Sequence, residues 1–251
     1  MDERAKIAVI TGASNGIGKR LADKLYTSGG YKIVNIDTDE SGFDRRFLNF
    51  NMDVKEFAWS KNYRSIDSKL IESYGHSDIS ILVNNAGVNY INHFLEITED
   101  DYDRVMDVNV KGTFFVTQKF FENIKRAKGT VLNIVSSAAY KPMRCTSVYN
   151  ASKGAVEILT RQMARELSIH GVTIFGVAPN KILDTKMSEY VDTVVPVVRE
   201  WTKEQAQKYE LSNIPCGKNT TLDAFTDFLY YLLINKVNNE YLSGNVMEYG
   251  I

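Results

Sequence analysis

Thr11-Gly12-Ala13-Ser14-Asn15-Gly16-Ile17-Gly18 follows the apolar run at residues 7–10 and leads into a segment of helical period. Glycines let a backbone turn sharply and come close to a pyrophosphate, and the helix that follows offers unpaired N–H groups and the positive end of its dipole. A second β-branched run, Val34-Asn35-Ile36, ends at Asp37, nineteen positions after Gly18. A dinucleotide-binding unit puts there the acid that accepts hydrogen bonds from the adenosine ribose. Glycine-rich turns after strands are common on their own, so it is strand, turn, helix and second strand in this order that carry the reading.

Outward from this unit the same pattern recurs, a short β-branched run and then a longer stretch of helical period, which is how a parallel sheet is built. Strands are expected at residues 6–11, 31–37, 47–53, 79–84, 130–136, 172–178 and 245–249, and helices at 16–28, 55–74, 99–127, 148–170 and 222–235. No linker, charge block or repeat divides residues 1–251, so a single α/β domain is expected. Residues 180–215 are too long for a simple connection and hold Val194, Val195, Val197, Val198 and Trp201, which suggests a substrate lid.

Composition narrows the function classes. Thirty basic and 31 acidic residues leave a net charge of −1, with no positive excess to hold nucleic acid or an anionic membrane. The longest apolar stretch, residues 228–234, is far short of the roughly 20 residues a membrane-spanning helix needs, and Met1-Asp2-Glu3-Arg4 is unlike a secretory signal. A cytoplasmic protein is therefore expected. Cys145 and Cys216 read as free thiols, and His76, His93 and His170 show no metal-ligand spacing, so no metal is expected.

Two further motifs join the glycine turn: Asn84-Asn85-Ala86-Gly87 after the fourth strand, and Tyr149-Asn150-Ala151-Ser152-Lys153. With the TGxxxGxG spacing of the turn, the chain resembles the short-chain dehydrogenase/reductase family from about Lys6 to Gly250. The resemblance implies a Rossmann-like, doubly wound, seven-stranded parallel sheet flanked by helices, a nicotinamide cofactor, and a Ser-Tyr-Lys-Asn active site. It assigns Thr11, Gly12, Ser14, Asn15, Gly16, Ile17 and Gly18 to the cofactor turn, Asp53 and Val54 to the adenine, and Asn84, Asn85, Ala86 and Gly87 to the segment beside the ribose. Pro179-Asn180 departs from the family's Pro-Gly, the loop to Thr185 is one residue longer than common versions, and Glu248-Tyr249-Gly250-Ile251 has one glycine where many relatives have two. Pro179 and Ile182 are assigned to the nicotinamide side with that irregularity noted.

The chemistry can also be read from residue types. Tyr149 and Lys153 are four apart on a helical pattern, so both side chains share a face. A phenol is a poor base at neutral pH, but an ammonium and an oxidised nicotinamide beside it both favour phenolate. Ser136, thirteen positions before Tyr149, matches the serine that holds the substrate oxygen; Ser137 is the competing choice, and register favours Ser136. Asn109 resembles the asparagine anchoring a water chain to the lysine. Such a set favours an active enzyme over the alternative, a nucleotide-binding regulator or scaffold, because a non-catalytic relative has no need of all four groups.

Asp37 favours NAD over NADP, since a carboxylate accepts ribose hydroxyls and repels a 2′-phosphate, and neither Asn15 nor Thr38 is basic. Substrate contacts are expected from Ser136, Tyr149, Asn89, His93, Tyr140 and Arg144. The short connection between Asp37 and Asp53 and the gapless stretch at residues 133–153 resemble aldose dehydrogenases and 2,3-dihydro-2,3-dihydroxybenzoate dehydrogenases. The expected substrate is thus a sugar, polyol or cyclic diol, a carboxylate being compatible with Lys141, Arg144 and Lys181; Tyr90, Tyr140, Met143 and the valine-rich lid would equally suit an apolar ketone, hydroxysteroid or 3-oxoacyl chain. A homotetramer is expected from the resemblance, with apolar stretches at residues 114–121 and 225–234 available for interfaces.

Overall fold

In the computed structural model, which describes residues 4–58, 63–212, 214–235 and 240–250, β1 (Ile7–Thr11) turns into α1 (Gly16–Thr27). The order continues β2 (Lys32–Asp37), β3 (Leu48–Asn51), α2 (Tyr63–Tyr74), β4 (Ile79–Asn84), α3 (Glu99–Met106) and α4 (Thr113–Ala127). It ends β5 (Thr130–Ile134), α5 (Ser147–Leu167), β6 (Thr173–Pro179), α6 (Lys186–Arg199), α7 (Lys203–Ser212), α8 (Leu222–Ile234) and β7 (Val246–Tyr249). The seven strands are parallel in the order β3-β2-β1-β4-β5-β6-β7. The direction of winding reverses between β1 and β4, and a crevice opens there beyond the carboxyl ends of the strands.

Successive side chains of a strand point to opposite faces, and β1 is apolar on both. Ala8 and Ile10 join the layer formed with α1 and α8, while Ile7 and Val9 join the layer formed with α2, α4 and α5. Sealed on both sides, the sheet holds its carboxyl ends at fixed positions.

Asn35 lies in the middle of β2 and is fully buried. Its Oδ1 accepts the Ala13 N–H at 2.9 Å, and its Nδ2 donates to Ser14 Oγ at 3.2 Å and Asn49 Oδ1 at 3.1 Å. Asn49 in turn donates to the carbonyls of Asp44 and Phe47, so the glycine turn, β2 and the short β2–β3 connection are one hydrogen-bonded unit. The connection makes only a 3₁₀ turn at Glu40–Gly42. Gly42 passes so close to the glycine turn that a Cβ would fall 2.2 Å from Ser14 O.

Several boundaries differ from the sequence expectation, each for a local reason. The helix expected at 55–74 begins instead as a 3₁₀ turn at Val54–Ala58, where the Asp53 carboxylate takes the Lys55 N–H at 3.1 Å; residues 59–62 lie outside the described residues. The fifth strand stops at Ile134, two residues early, and its last carbonyl accepts from Lys153 Nζ. The helix expected at 99–127 contains a π-helical turn, Asp107–Gly112. The segment expected as a lid forms two helices, α6 and α7, each started by a capping pair: Thr185 with Ser188, and Thr202 with Gln205.

Asn35→Leu keeps the volume but leaves the Ala13 N–H and the Asn49 side chain short of partners. Urea unfolding should find it less stable by about 1–3 kcal/mol. Wild-type stability in that variant would mean that the bonds of Asn35 do not hold the turn.

Candidate active site

Two turns meet at the switch point and are stitched together. Gly12 has a φ of +72°, and a Cβ there would lie 3.0 Å from Asn85 Nδ2 and 3.1 Å from Ala86 Cα. At Gly18 the same addition would fall 2.2 Å from Gly12 O, so α1 starts against the turn only because neither residue carries a side chain. Thr11 Oγ1 accepts from the backbone of Asn85 and of Ala86, each at 3.0 Å, and Asn85 Nδ2 returns bonds of 3.0 Å to the carbonyls of Thr11 and Gly12. Asp37 is held by Ser14 N at 2.9 Å on Oδ2 and by Asp39 N at 3.0 Å on Oδ1, which leaves each carboxylate oxygen a further lone pair for a hydroxyl.

These turns border a cleft of about 1030 Å³. The bare backbone at Gly12, the acid at Asp37 and a volume at the upper end for ligand sites fit a dinucleotide with a small substrate. Gly12, Asn15, Gly16, Ile17, Asp37, Asp53, Val54, Asn85, Ala86, Gly87, Pro179 and Ile182 line it, as do Asn89, Ser136, Tyr140, Tyr149 and Lys153. Thr11, Ser14, Gly18 and Asn109 stand behind the lining as supports.

At the centre, the first turns of α5 carry Tyr149 and Lys153, both buried. Lys153 Nζ donates to Ile134 O at 2.8 Å and lies 5.8 Å from the Tyr149 ring centroid. The π-helical turn presents Asn109, whose Oδ1 accepts from Val88 N at 2.8 Å while Nδ2 donates to Val88 O and to Ser152 Oγ, each at 2.9 Å. Ser152 donates on to Tyr149 O at 2.8 Å. Asn109 therefore clamps the β4 turn to the helix that carries Tyr149 and Lys153. Gly87 keeps the gap narrow, since a Cβ there would lie 3.3 Å from Asn109 Oδ1 and 3.7 Å from Lys153 Nζ.

Burial sets the acidities. It pushes the Tyr149 phenol up, opposed by the hydrogen bond of the Ser136 hydroxyl, and it pulls Lys153 down to about 8. In the chain itself burial is the larger influence on the phenol, which keeps its proton at neutral pH. Ser136 also accepts from Ala138 N at 3.2 Å, which starts a 3₁₀ turn at Ser137–Ala139 and fixes the hydroxyl beside Tyr149.

The expected substrate contacts divide. Asn89 and Tyr140 line the cleft, but His93 and Arg144 are exposed and do not. His93 Nδ1 lies 3.8 Å from Cys145 Sγ, and Arg144 contributes only its backbone carbonyl, which accepts from Arg199. Lid residues overlooked in the sequence fill the gap: Met187, whose Sδ lies 3.9 Å from Tyr149 Oη, Tyr190, which accepts the Ile91 N–H at 3.2 Å, and Arg199 and Glu210 farther along. The cap at Thr185 was the available signal, because it starts a helix two residues before Met187.

The departures from the family pattern are coupled. Asn180 Nδ2 donates to Gly250 O at 2.7 Å, and its Oδ1 accepts from Thr220 Oγ1 at 2.8 Å. Gly250 has a φ of +72°, and a Cβ on it would fall 2.6 Å from Thr220 Oγ1. Ile182, buried, continues the strap by bridging in parallel to Thr220. The longer loop is thus tied to the last strand by a side chain that a glycine could not supply.

A family model described as short chain dehydrogenase matches residues 6–194. Among curated proteins, the chain is 30% identical to sorbitol-6-phosphate 2-dehydrogenase of Klebsiella pneumoniae, over 95% of this chain and 92% of the relative. It is 29% identical to the 3-oxoacyl-[acyl-carrier-protein] reductase of Buchnera aphidicola, over 99% and 97% respectively. Among solved structures, the 3-ketoacyl-(acyl-carrier-protein) reductase of Brucella melitensis complexed with NADH superposes with a TM-score of 0.78 at 24% identity, covering 98% of this chain and 96% of that one. The matched span takes in the glycine turn, Asn109, Ser136, Tyr149 and Lys153, and the chain belongs to the short-chain dehydrogenase family, oxidoreductases acting on CH–OH groups.

Proposed function

We propose that this protein is an NAD(H)-dependent dehydrogenase that interconverts a secondary alcohol and its ketone on a small polar substrate, a sugar, polyol or cyclic diol. The observation that carries the reading is the buried Tyr149–Lys153 pair in one cleft with the glycine turn and Asp37. Bound nicotinamide supplies the acceptor or donor of hydride. Tyr149 handles the proton at its Oη: protonated, it donates to a ketone oxygen, and deprotonated, it accepts from a hydroxyl. Ser136 Oγ steadies that oxygen, Lys153 offsets the negative charge of the phenolate, and Asn109 with Ser152 keeps the turn of α5 in place.

The choice of NAD rests on Asp37, whose charge disfavours a 2′-phosphate. A cation does reach this edge from the lid, Lys186, but its Nζ lies 2.7 Å from Asp39 Oδ2 and is neutralised there. Polar substrate recognition is supported by two buried acceptor atoms of the lining that lack partners, Asn89 Oδ1 and Glu210 Oε1, which substrate hydroxyls would satisfy. The polyol-phosphate relative points the same way. A second reading, reduction of a 3-oxoacyl chain, has its own support in the apolar lining residues Met143, Met187, Val191 and Val195 and in the acyl-carrier-protein reductase relative.

A homotetramer in the cytoplasm completes the proposal. Its support is the outer face of α4 and α5, where Phe114 is 40% and Ile158 is 59% exposed around a shallow apolar groove. In the other apolar stretch Phe225, Leu229 and Leu233 are committed to the core, and Tyr231 and Ile234 remain outward.

Tyr149→Phe should lower kcat roughly 10²–10⁴-fold with NADH affinity retained, as measured by fluorescence titration beside steady-state rates. Because the free phenol is raised, its protonated form prevails from pH 6.5 to pH 9, so ketone reduction should keep its rate over that range while alcohol oxidation, which needs the phenolate, rises with pH; parallel profiles in both directions would remove Tyr149 from the proton transfer. NAD should give the higher kcat/KM, and Asp37→Ser combined with Thr38→Arg should turn the preference toward NADP. A substrate panel of aldoses, polyols, cyclic diols, hydroxysteroids and hydroxyacyl thioesters decides between the two substrate readings, since turnover confined to the last two groups overturns the polar one.

A further inference from the structure

Arg199, the last residue of α6, is only 5% exposed and lines the lid end of the cleft. Burying a guanidinium is costly unless it is paired, and in folded proteins such charges meet carboxylates. Here Nε and Nη2 donate to one neutral acceptor, Arg144 O, at 3.1 and 2.6 Å, and the guanidinium lies over the rings of Trp201 and Tyr209 at 5.1 and 5.6 Å. No ion pair with an acid is formed by Arg199 among the described residues. The neighbouring Arg144 is a second cation, and it opposes the charge of Arg199 further.

The acids at this end of the cleft turn to Lys181 and not to Arg199, Glu210 through Oε2 alone. Asp192 and Glu210 both pair with Lys181, at 2.5 and 3.0 Å, and the acids of the opposite end, Asp37, Asp39 and Asp53, border the glycine turn and β3. Helix carbonyls at the end of α6 supply a partial negative charge, about half an elementary charge, and no full counter-ion. What is missing is an anion.

We propose that Arg199 is a specificity-determining residue that binds an anionic group, a carboxylate or a phosphate monoester, carried by the hydroxylated substrate. The inference rests on the polyol reading above and narrows it to polyhydroxy acids or sugar phosphates. Guanidinium suits both groups because its N–H donors match two oxygens at once. The aromatic walls hold the cation in place and exclude water around it.

The test compares matched substrates: sorbitol against gluconate and against sorbitol 6-phosphate, in the wild type, Arg199→Gln and Arg199→Lys. One of the two anionic members should exceed sorbitol in kcat/KM by roughly tenfold or more, and which one does identifies the anion as carboxylate or phosphate. Arg199→Gln should bring that ratio to about one through KM, and Arg199→Lys should restore part of it. A ratio near one in the wild type overturns the proposal while the polyol reading stands, and so does a Gln variant that loses rate on all three substrates with the ratio kept, the signature of a merely structural clamp. If the Gln variant does not fold, the Lys variant and competitive inhibition of the wild type by inorganic phosphate and by acetate replace it, and absence of inhibition by either counts against the site. Turnover of hydroxyacyl thioesters with none of the three substrates overturns the polyol reading itself.

Discussion

No atom may project between Gly12 and the turn after β4, nor between Gly18 and Gly12, and the rest of the site depends on that constraint. Once these backbones are allowed to touch, Thr11 can bond two amides of the β4 turn and Asn85 can bond two carbonyls of the glycine turn. The β4 turn then reaches Asn109 through Val88, and Asn109 reaches α5 through Ser152. A contact made for phosphate access thus ends by positioning a phenol far along the sequence. Each link is a directional bond between buried or part-buried groups, which holds geometry more narrowly than apolar packing can.

Much of this was legible in the sequence, for identifiable reasons. Parallel strands buried on both faces have to be nearly continuous apolar runs, and all seven expected strands are present. Motif residues such as Gly12, Ser136, Tyr149 and Lys153 line a single cleft because their spacing is tied to strand ends and helix turns. What stayed hidden depends on partners distant in sequence. Asn35 reads as a weak strand residue until its bonds to Ala13, Ser14 and Asn49 are seen. The π-helical turn has its cause in the two-sided grip of Asn109, which no local pattern contains. Pro196 hid the helical period of α6, because it removes the bond its N–H would make to Asp192 O, yet the helix runs through it to Arg199. His93 and Arg144 have the right residue type on the right loops, but the direction of a loop side chain is not encoded in spacing.

Charge divides the cleft into unlike ends. Around the glycine turn it is acidic, and Lys186 is neutralised by Asp39; at the lid end the buried guanidinium of Arg199 meets the Arg144 carbonyl, the Cys145 side chain and aromatic rings. Between them lies an apolar neck at Met187, against the Tyr149 hydroxyl. On the proposed reading such a layout would orient a polar molecule, because its two ends meet unlike surroundings.

Three ion pairs of two kinds hold α6 and α7. Lys186 with Asp39, at the cofactor edge, is wide open to solvent, its side chain 68% exposed, whereas Lys181, holding Asp192 and Glu210, is only 13% exposed. Mobile ions weaken the first fastening and scarcely reach the second. Rising ionic strength therefore loosens the tie of α6 to the β2–β3 connection before it loosens the ties of both helices to the loop after β6.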